Sequence, residues 1–417
     1  MSESNWAGTH TYAARRIETP TTIEGAQEVV ASAPRVRSLG TRHSFNDIAD
    51  TDGVLLSLTD IAPDPVIDEQ ARTVTVGGGT RYAVVARYLQ QNGWALHNMG
   101  SLPHISVAGA VSTATHGSGD RNGNLATAVS GLTFIAPDGG LRSIRRGEDG
   151  FDGSVVALGA LGPVTRVTLD IQPDYAARQD VYEGLEWATL FENFDAITSS
   201  AYSVSVFTHW DTPIVGDVWI KERLDGDAAA APMPAELFGA RRREAKTLSP
   251  TGDENDNTTT QGGVPGPWSE RLPHFRIDAT PSNGDEIQTE YLVGRDVALD
   301  AIRAVRFIAE LVGPALLITE LRTVAADDLW MSTAYGRDSL CIHFTWKNLP
   351  DAVAAAVLEV ERVLAPFDPR PHWGKVFSMP VSSSYAKLDD FRALVAGTDP
   401  DGKFGSPYLE RVLSLGR

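Results

Sequence analysis

"HNMGSLPHISVAGAVSTATHGSGDRNG", residues 97–123, is the stretch on which the reading of this chain turns. Small residues crowd it: Gly100, Ser101, Ser106, Gly109, Thr113, Thr115, Gly117, Ser118 and Gly119. Side chains this short let a ligand approach the backbone closely, and their amides and hydroxyls can bind phosphate oxygens. A glycine-rich loop with no ligand is the plain alternative. The stretch lacks the Gly-Lys-Ser/Thr ending of a P-loop and is not a G-x-G-x-x-G fingerprint between strand and helix. "HGSG" is not the G-x-S-x-G elbow either, which argues against a hydrolase. His104 and His116 have no carboxylate or cysteine at ligand spacing, so no metal is expected.

Glycine punctuation continues on both sides, and residues 34–172 read as alternating strands and helices. Upstream, "RTVTVGGGTRYAVVARYLQQNGWAL" gives a strand, Gly77-Gly78-Gly79, and a helix. Tyr82, Val85, Ala86 and Leu89 fall at helical spacing, and Asn92-Gly93 is a left-handed stop. Downstream, "GLTFIAPDGGLRSI" predicts a hairpin around Asp138-Gly139-Gly140, and "ALGALGPVTRVTLDIQP" a glycine-rich turn with an alternating strand. The middle of the chain changes character. "LDGDAAAAPMPAELF" and "LSPTGDENDNTTTQGGVPGPW" read as long surface loops, the second as a candidate for poor order. A helix is expected from about Ala298 to Leu311, stopping at Gly313-Pro314, and a short helix in "SPYLERVL". Boundaries fall near 173 and 372.

A chain of 417 residues exceeds what one core usually carries, so two domains are expected. Its 36 Lys plus Arg against 54 Asp plus Glu give a formal charge of −18. That charge repels nucleic acid and anionic membrane surfaces. No apolar run is long enough to span a membrane. The opening "MSESNWAGTHTY" has neither the basic nor the apolar part of a secretory signal, so cytoplasmic residence is expected. Cys341 is the lone cysteine. It excludes an intrachain disulfide and a multi-cysteine metal site, and in "LCIHFTW" it reads as packing.

Two strands carry candidate chemistry. In "LLITELRTV", period-two alternation puts Glu320 and Arg322 on one face, and in "LCIHFTWK" Cys341, His343 and Thr345 oppose Leu340, Ile342, Phe344 and Trp346. Side by side in one sheet, these strands would bring four hydrogen-bonding side chains to one patch. The pattern alone leaves two readings, a pocket or a solvated face with a surface Glu–Arg pair. Lys375, among apolar residues in "RPHWGKVF", either snorkels to water or, partly buried, assists proton transfer. In "LGTRHSFN", residues 39–46, Arg42 and His43 are either spare loop charge or hold an imidazole fixed for chemistry.

"LGTRHSFN", "GGGTRYAVVARYL", "NMGSLPHISVAGAVSTATHGSG" and "ALGALGPVTRVTLDI" together resemble the vanillyl-alcohol-oxidase-type flavoproteins. "ELRTVAAD", "HFTW", "PHWGKVF" and "DPDGKF" narrow the resemblance to alditol oxidases, close kin of xylitol oxidase, from "NWAG" at Asn5 almost to the C-terminus. The resemblance implies an α+β fold: a two-subdomain FAD-binding domain (1–172), an α+β substrate domain with an antiparallel sheet (173–372), and a C-terminal segment (373–417) returning to the first. It implies FAD bonded covalently through His43. Ser38, Leu39, Gly40, Thr41, Arg42, Ser44, Ser101, Ser106, Gly109, Thr113, Ala114, Thr115, His116, Gly159, Gly162 and Val164 would complete the cofactor site. Ser101, Glu320, Arg322, Thr345 and Lys375 match the polyol-binding positions, with His343 close by, and Lys375 and His343 are the candidates for handling the proton.

The implied reaction is oxidation of a terminal hydroxyl of xylitol, sorbitol or a similar neutral polyol by dioxygen, giving hydrogen peroxide. Gly100, without a side chain beside Ser101, would leave room for oxygen. Thr41-Arg42 stands where bacterial alditol oxidases commonly have Ser-Gly, and "DPDGKFGSP" replaces their "KFTN" ending. An aldonolactone oxidase or dehydrogenase on the same scaffold is the alternative, with a non-catalytic flavin- or sugar-binding protein behind it. The family includes monomers, and a monomer is the expected state.

Overall fold

Alternation in "TVTVG" makes Thr73–Gly77 a strand that buries Val74 and Val76. The glycines after it are demanded by backbone packing: a Cβ on Gly78 would overlap the carbonyl oxygen of Val164, and one on Gly79 that of Leu58. The helix Tyr82–Gln91 follows, burying Tyr82, Val85, Ala86 and Leu89, and Gly93 at φ +75° ends it. The hairpin Val129–Ile135/Leu141–Arg145 forms around Gly139, whose φ is +84°. The computed structural model describes residues 3–61, 63–224, 232–244, 247–254, 256–279 and 285–414.

These elements build two units at the N-terminal end. Arg16–Glu18, Val54–Ser57 and Val36–Leu39 form a parallel sheet in that order. Val66–Asp68, Thr73–Gly77, Val164–Asp170, Val129–Ile135 and Leu141–Arg145 form an antiparallel one. A larger antiparallel sheet follows. Its central order is Ala176–Glu186, Ile214–Leu224, Ser203–Thr208, Leu316–Val324, Ser339–Lys347, Glu286–Gly294 and Arg370–Pro371. Leu340, Ile342, Phe344 and Trp346 are buried on one face against the helices Trp187–Thr198, Ala298–Phe307 and Pro350–Leu364. The other face looks toward the N-terminal units.

Three sequence expectations change. The helix expected over 298–311 breaks at Ile308 (φ −103°, ψ 19°), where its N–H bonds the Val305 carbonyl in a tightened last turn and a second helix, Ala309–Val312, begins. The segment 248–268 is no plain surface loop: Thr258, Thr259, Gln261 and Trp268 are buried, and Trp268 packs in the core of the N-terminal units. Its polar composition is satisfied by internal bonds, such as Gln261 Nε2 donating to the Leu248 carbonyl at 2.8 Å. Of the first expected loop, residues 225–231 lie outside the described residues, and Glu236–Leu237 and Ala240–Arg242 form short edge strands.

The chain after 372 packs into the first core through Trp373, Tyr385, Phe391, Tyr408 and Leu409, joined there by Trp268, Leu272, Leu329 and Met331 from the middle segment. Arg37 ties these parts together. Its buried guanidinium donates to the carbonyls of Phe404 (3.0 Å), Leu158 (2.8 Å) and Ile48 (2.5 Å). Among the described residues no helix is long and apolar enough to cross a membrane.

Gly78→Ala should destabilise the protein by about 1–3 kcal/mol or more, because the methyl meets backbone rather than a movable side chain. Denaturant unfolding of the variant, compared with Gly93→Ala, where an added Cβ meets nothing within 4 Å, separates overpacking from φ strain.

Candidate active site

Between the N-terminal units and the free face of the large sheet lies a cavity of about 680 Å³. Its near wall comes from loops of the first units. Ser38, Leu39, Gly40, Thr41, Arg42, His43, Ser44, Ser101, Ser106, Gly109, Thr113, Thr115, His116, Gly159, Gly162 and Val164 all line it. Ala114 does not: at φ +53° it packs in the hydrophobic core. The small residues of the 97–123 stretch divide into two groups. Gly100 to Thr115 face the cavity, and a Cβ on Gly40 or Gly109 would sit 2.7 or 2.8 Å from Ser106 Oγ. Gly117 and Gly119 serve the junction with the sheet instead. A Cβ on Gly117 would overlap the Met99 carbonyl, one on Gly119 that of Tyr202, and Gly119 N–H bonds Thr323 O at 2.9 Å.

His43 sits in a bracketed turn. Arg42, at φ +65°, accepts from Trp6 N–H at 2.8 Å, and Asn5 Nδ2 donates to Ser44 O at 2.9 Å. Asn46 Nδ2 donates to the carbonyls of Trp373 (2.8 Å) and Lys375 (2.7 Å). The left-handed backbone at position 42 is one that glycine adopts without strain, and here an arginine holds it. The His43 ring stacks on Trp6 with centroids 5.1 Å apart. Among the described residues, both its ring nitrogens and Ser38 Oγ are buried without a hydrogen-bond partner. Burial, then the charges of Lys375 and His104, push His43 down to about 4, leaving a neutral imidazole. Orphaned polar atoms beside a glycine-lined wall are what a held cofactor requires.

The far wall is the free sheet face. Register places Glu320 opposite His343 and His343 opposite Glu290, so the two sequence-chosen strands are neighbours. The next row sets Thr345 opposite Gln288. Arg322 Nη2 donates to Glu290 Oε1 at 2.8 Å, Arg322 Nε lies 3.6 Å from Glu320 Oε2, and Arg322 Nη1 donates to Ser101 Oγ at 3.4 Å. His343 Nδ1 is 3.4 Å from Glu290 Oε2, and its Nε2 is 3.3 Å from Thr345 Oγ1. Lys375 Nζ donates to Gln288 Oε1 and lies 4.7 Å above the Phe45 ring. Burial lowers Lys375 and His343 from their ordinary values, against the pull of Glu290. For Glu290, burial is outweighed by His116, His343 and Arg322, and for Glu320 by Arg322 and His274, so both stay ionised.

Four residues escaped the sequence reading: Glu290, Gln288, His274 and Lys221. Gln288 and Glu290 sit two apart in "EIQTEYLV", so the alternation that found Glu320 and Arg322 applied there too. His274 lies in an irregular segment without a period to betray it. The expectation that His116 has no carboxylate or cysteine near it fails in space. His116, Glu290 and Cys341 place ligand atoms within 4.8 Å of one another. Arg322 already occupies the carboxylate, and burial with the Glu290 charge drives the Cys341 thiol well up, so the thiol donates to Glu290 Oε1 at 2.7 Å. That cluster is built for a guanidinium rather than a metal ion.

Fold and cavity together define a flavin-binding oxidoreductase of the vanillyl-alcohol-oxidase type. An FAD binding domain profile matches residues 14–145, and a D-arabinono-1,4-lactone oxidase profile residues 286–412. The fold matches cholesterol oxidase from B. sterolicum with a TM-score of 0.79 at 14% identity, covering 99% of this chain and 96% of that one. The chain is 45% identical over 417 residues to the alditol oxidase of a Streptomyces species, covering 98% of each, and it belongs to the alditol oxidase family. It is also 28% identical to the L-gulono-1,4-lactone dehydrogenase of Mycobacterium tuberculosis, again over 98% of each.

Burial depresses His43 to about 4, His274 to about 4 and His372 to about 3. Below 6.5 the unfolded chain therefore binds protons that the folded one refuses. Each histidine removes up to about 1.4 kcal/mol of stability per pH unit as pH falls from 6.5 toward its folded value. Urea midpoints at pH 7.5, 6.0 and 5.0 should fall accordingly, and less steeply in His372→Phe.

Proposed function

We propose that this protein is an FAD-dependent oxidase that converts the terminal primary hydroxyl of alditols such as xylitol and sorbitol to the aldose, reducing dioxygen to hydrogen peroxide. The full-length likeness to an alditol oxidase, at 45% identity, carries the reading. The cavity supports it, since one wall suits a flavin and the other presents hydroxyl-binding groups. We assign FAD binding to residues 1–172 with 373–417 and the polyol-binding cap to 173–372. When bound, FAD supplies the acceptor for the substrate hydride and the electrons for dioxygen. His43 is the residue we assign to a covalent link, its neutral, unpartnered imidazole being free to act as nucleophile. The wall from Ser38 to Ser44, with Ser101, Ser106, Gly109, Thr113, Thr115, His116, Gly159, Gly162 and Val164, would hold the cofactor.

The substrate loses a hydride from carbon and a proton from oxygen. Ser101, Glu320, Arg322, Thr345 and Lys375 offer the donors and acceptors that a neutral polyol needs. His343 is placed to take the proton: with Nδ1–H toward Glu290, its Nε2 lone pair faces Thr345 and the cavity. Lys375, held by Gln288 above Phe45, offers ammonium donors to the oxygen that loses that proton. A second reading, aldonolactone oxidation, is favoured by the lactone oxidase profile over residues 286–412 and by the lactone dehydrogenase relative.

Peroxide release with xylitol or sorbitol and none with gulono- or galactonolactone supports the first reading, and the reverse supports the second. After acid precipitation the yellow colour should stay with the pellet, and His43→Ala should release it. His343→Ala should lower kcat by about 10²–10⁴-fold. The acid limb of the wild-type kcat/KM profile should fall below pH 6.5, because His343 is depressed. Gly100→Ala should raise the oxygen concentration needed for half-maximal turnover. The added Cβ meets nothing closer than 3.7 Å, so that variant folds and any change reads oxygen access.

A further inference from the structure

At the end of the sheet face away from Lys375 lies a line of three buried ionisable groups, Lys221, His274 and Glu320, of which the first two stand outside the chemistry above. Lys221, 1% exposed on the strand Ile214–Leu224, points its ammonium at three acceptors. They are the carbonyl of Leu272, that of Pro273 at 3.1 Å, and Nδ1 of His274 at 3.1 Å. Burial pushes Lys221 down to about 7; in its ammonium form, with three N–H donors and no acceptor, the three acceptors satisfy it completely. The lone pair of His274 is thereby placed on Nδ1 and its proton on Nε2, which donates to Glu320 Oε1 at 2.8 Å. Trp219 and Phe207 edge against the imidazole with centroids at 5.1 and 5.7 Å, and Thr259 Oγ1 donates to Pro273 O at 2.7 Å, fixing the segment that carries the ring.

We propose that Lys221 and His274 are positioning residues that lock Glu320 as a hydrogen-bond acceptor with one oxygen already occupied, so that this end of the cavity selects a substrate hydroxyl that donates. The proposal rests on the polyol reading and names what Glu320 contributes to it. Oε1 is spent on His274, whereas Oε2 lies 3.6 Å from Arg322 Nε, beyond hydrogen-bond length, and keeps its lone pairs for a ligand. Without Lys221 the imidazole can carry its proton on either nitrogen. With the proton on Nδ1, an Nε2 lone pair faces Oε1, and the carboxylate must turn away or take a proton. A protonated Glu320 donates as readily as it accepts and loses its preference for a hydroxyl over an ether or carbonyl oxygen at that position. Phe207 and Ser205 lie on the strand between those of Lys221 and Glu320, pairing across the backbone with Glu320 and Arg322.

The test uses the flavin-loaded enzyme with xylitol and its 2-, 3- and 4-deoxy analogues. In wild type, the analogue lacking the hydroxyl that meets Glu320 should lose about 10–100-fold in kcat/KM. In Lys221→Met and His274→Phe, the KM for xylitol should rise more than kcat falls, and that deoxy penalty should shrink to within about 3-fold. His274→Gln, whose amide can accept from Lys221 and donate to Glu320, should restore the penalty. Variants that slow xylitol and every analogue by one common factor, with the penalty intact, overturn the proposal. Nitrogen-15 histidine NMR reads the lock independently of turnover. An Nε2–H tautomer at His274 that is lost in Lys221→Met supports it, and an Nδ1–H tautomer in wild type refutes it. If wild type oxidises no polyol, the functional reading falls while the NMR still decides the relay.

Discussion

A guanidinium held between two carboxylates governs this site. Arg322 is 7% exposed, with Glu290 and Glu320, on its neighbour-but-one strand and its own strand, converging on it. Removing such a charge from water costs several kcal/mol, which only close pairing offsets. The direction of every shift agrees: the carboxylates are held low and Arg322 is held high. One cation for two anions leaves the patch a negative charge in surplus. Lys221, which burial pushes down to about 7, adjoins the patch through His274, whereas Lys375 is held by Gln288, whose amide donates to Glu286. The site's polarity is thus a chain of obligations that starts at Arg322.

That arrangement fixes the state of the imidazole beside it. His343 lies in register between Glu320 and Glu290, yet only Glu290 approaches a ring nitrogen within ion-pair range among the described residues. Burial keeps the ring neutral, and the nearby carboxylate draws the one proton to Nδ1. Positive charge at Lys375 and Arg322 opposes protonation from two sides. A base that is neutral, oriented and dry follows from strand register, because a slip by one residue would turn His343 into the helix-packed face.

Legibility in the sequence followed periodicity. The helix Tyr82–Gln91, the hairpin at Gly139 and the faces of Leu316–Val324 and Ser339–Lys347 were readable, because alternation and glycine punctuation are local. What stayed hidden depends on contacts distant in sequence. Arg37 looks like a strand charge, and only the fold sets it under the carbonyls of Phe404, Leu158 and Ile48. Lys221 looks like an exposed strand lysine until Leu272, Pro273 and His274 close over it. Gly117 and Gly119 read as ligand contacts, yet both meet backbone, so a run of small residues confuses close packing with binding. The segment 248–268 misled for the opposite reason: its polar residues bond one another and so survive burial.

Charge narrows the substrate further than the fold does. Asp253, Asp285, Glu286, Glu290 and Glu320 line the cavity against Arg322 and Lys375 on the same wall, and the whole chain carries −18. An aldonate or a phosphorylated sugar would bring a further anion into a region already in surplus, where low dielectric magnifies repulsion. A neutral ligand avoids that cost, and both an alditol and an aldonolactone are neutral. They differ in hydrogen-bond character at the oxidised end. The alditol offers hydroxyls throughout, each able to donate to a carboxylate and accept from a cation, whereas the lactone carbonyl and ring oxygen only accept. Ionised Glu320 and Glu290 are acceptors without a proton to give, and Glu290 has Oε1 occupied by Arg322 and Cys341 and Oε2 turned to His343. A ligand rich in donors therefore satisfies the face Glu320 presents, and an acceptor placed against it leaves a buried charge unpaired.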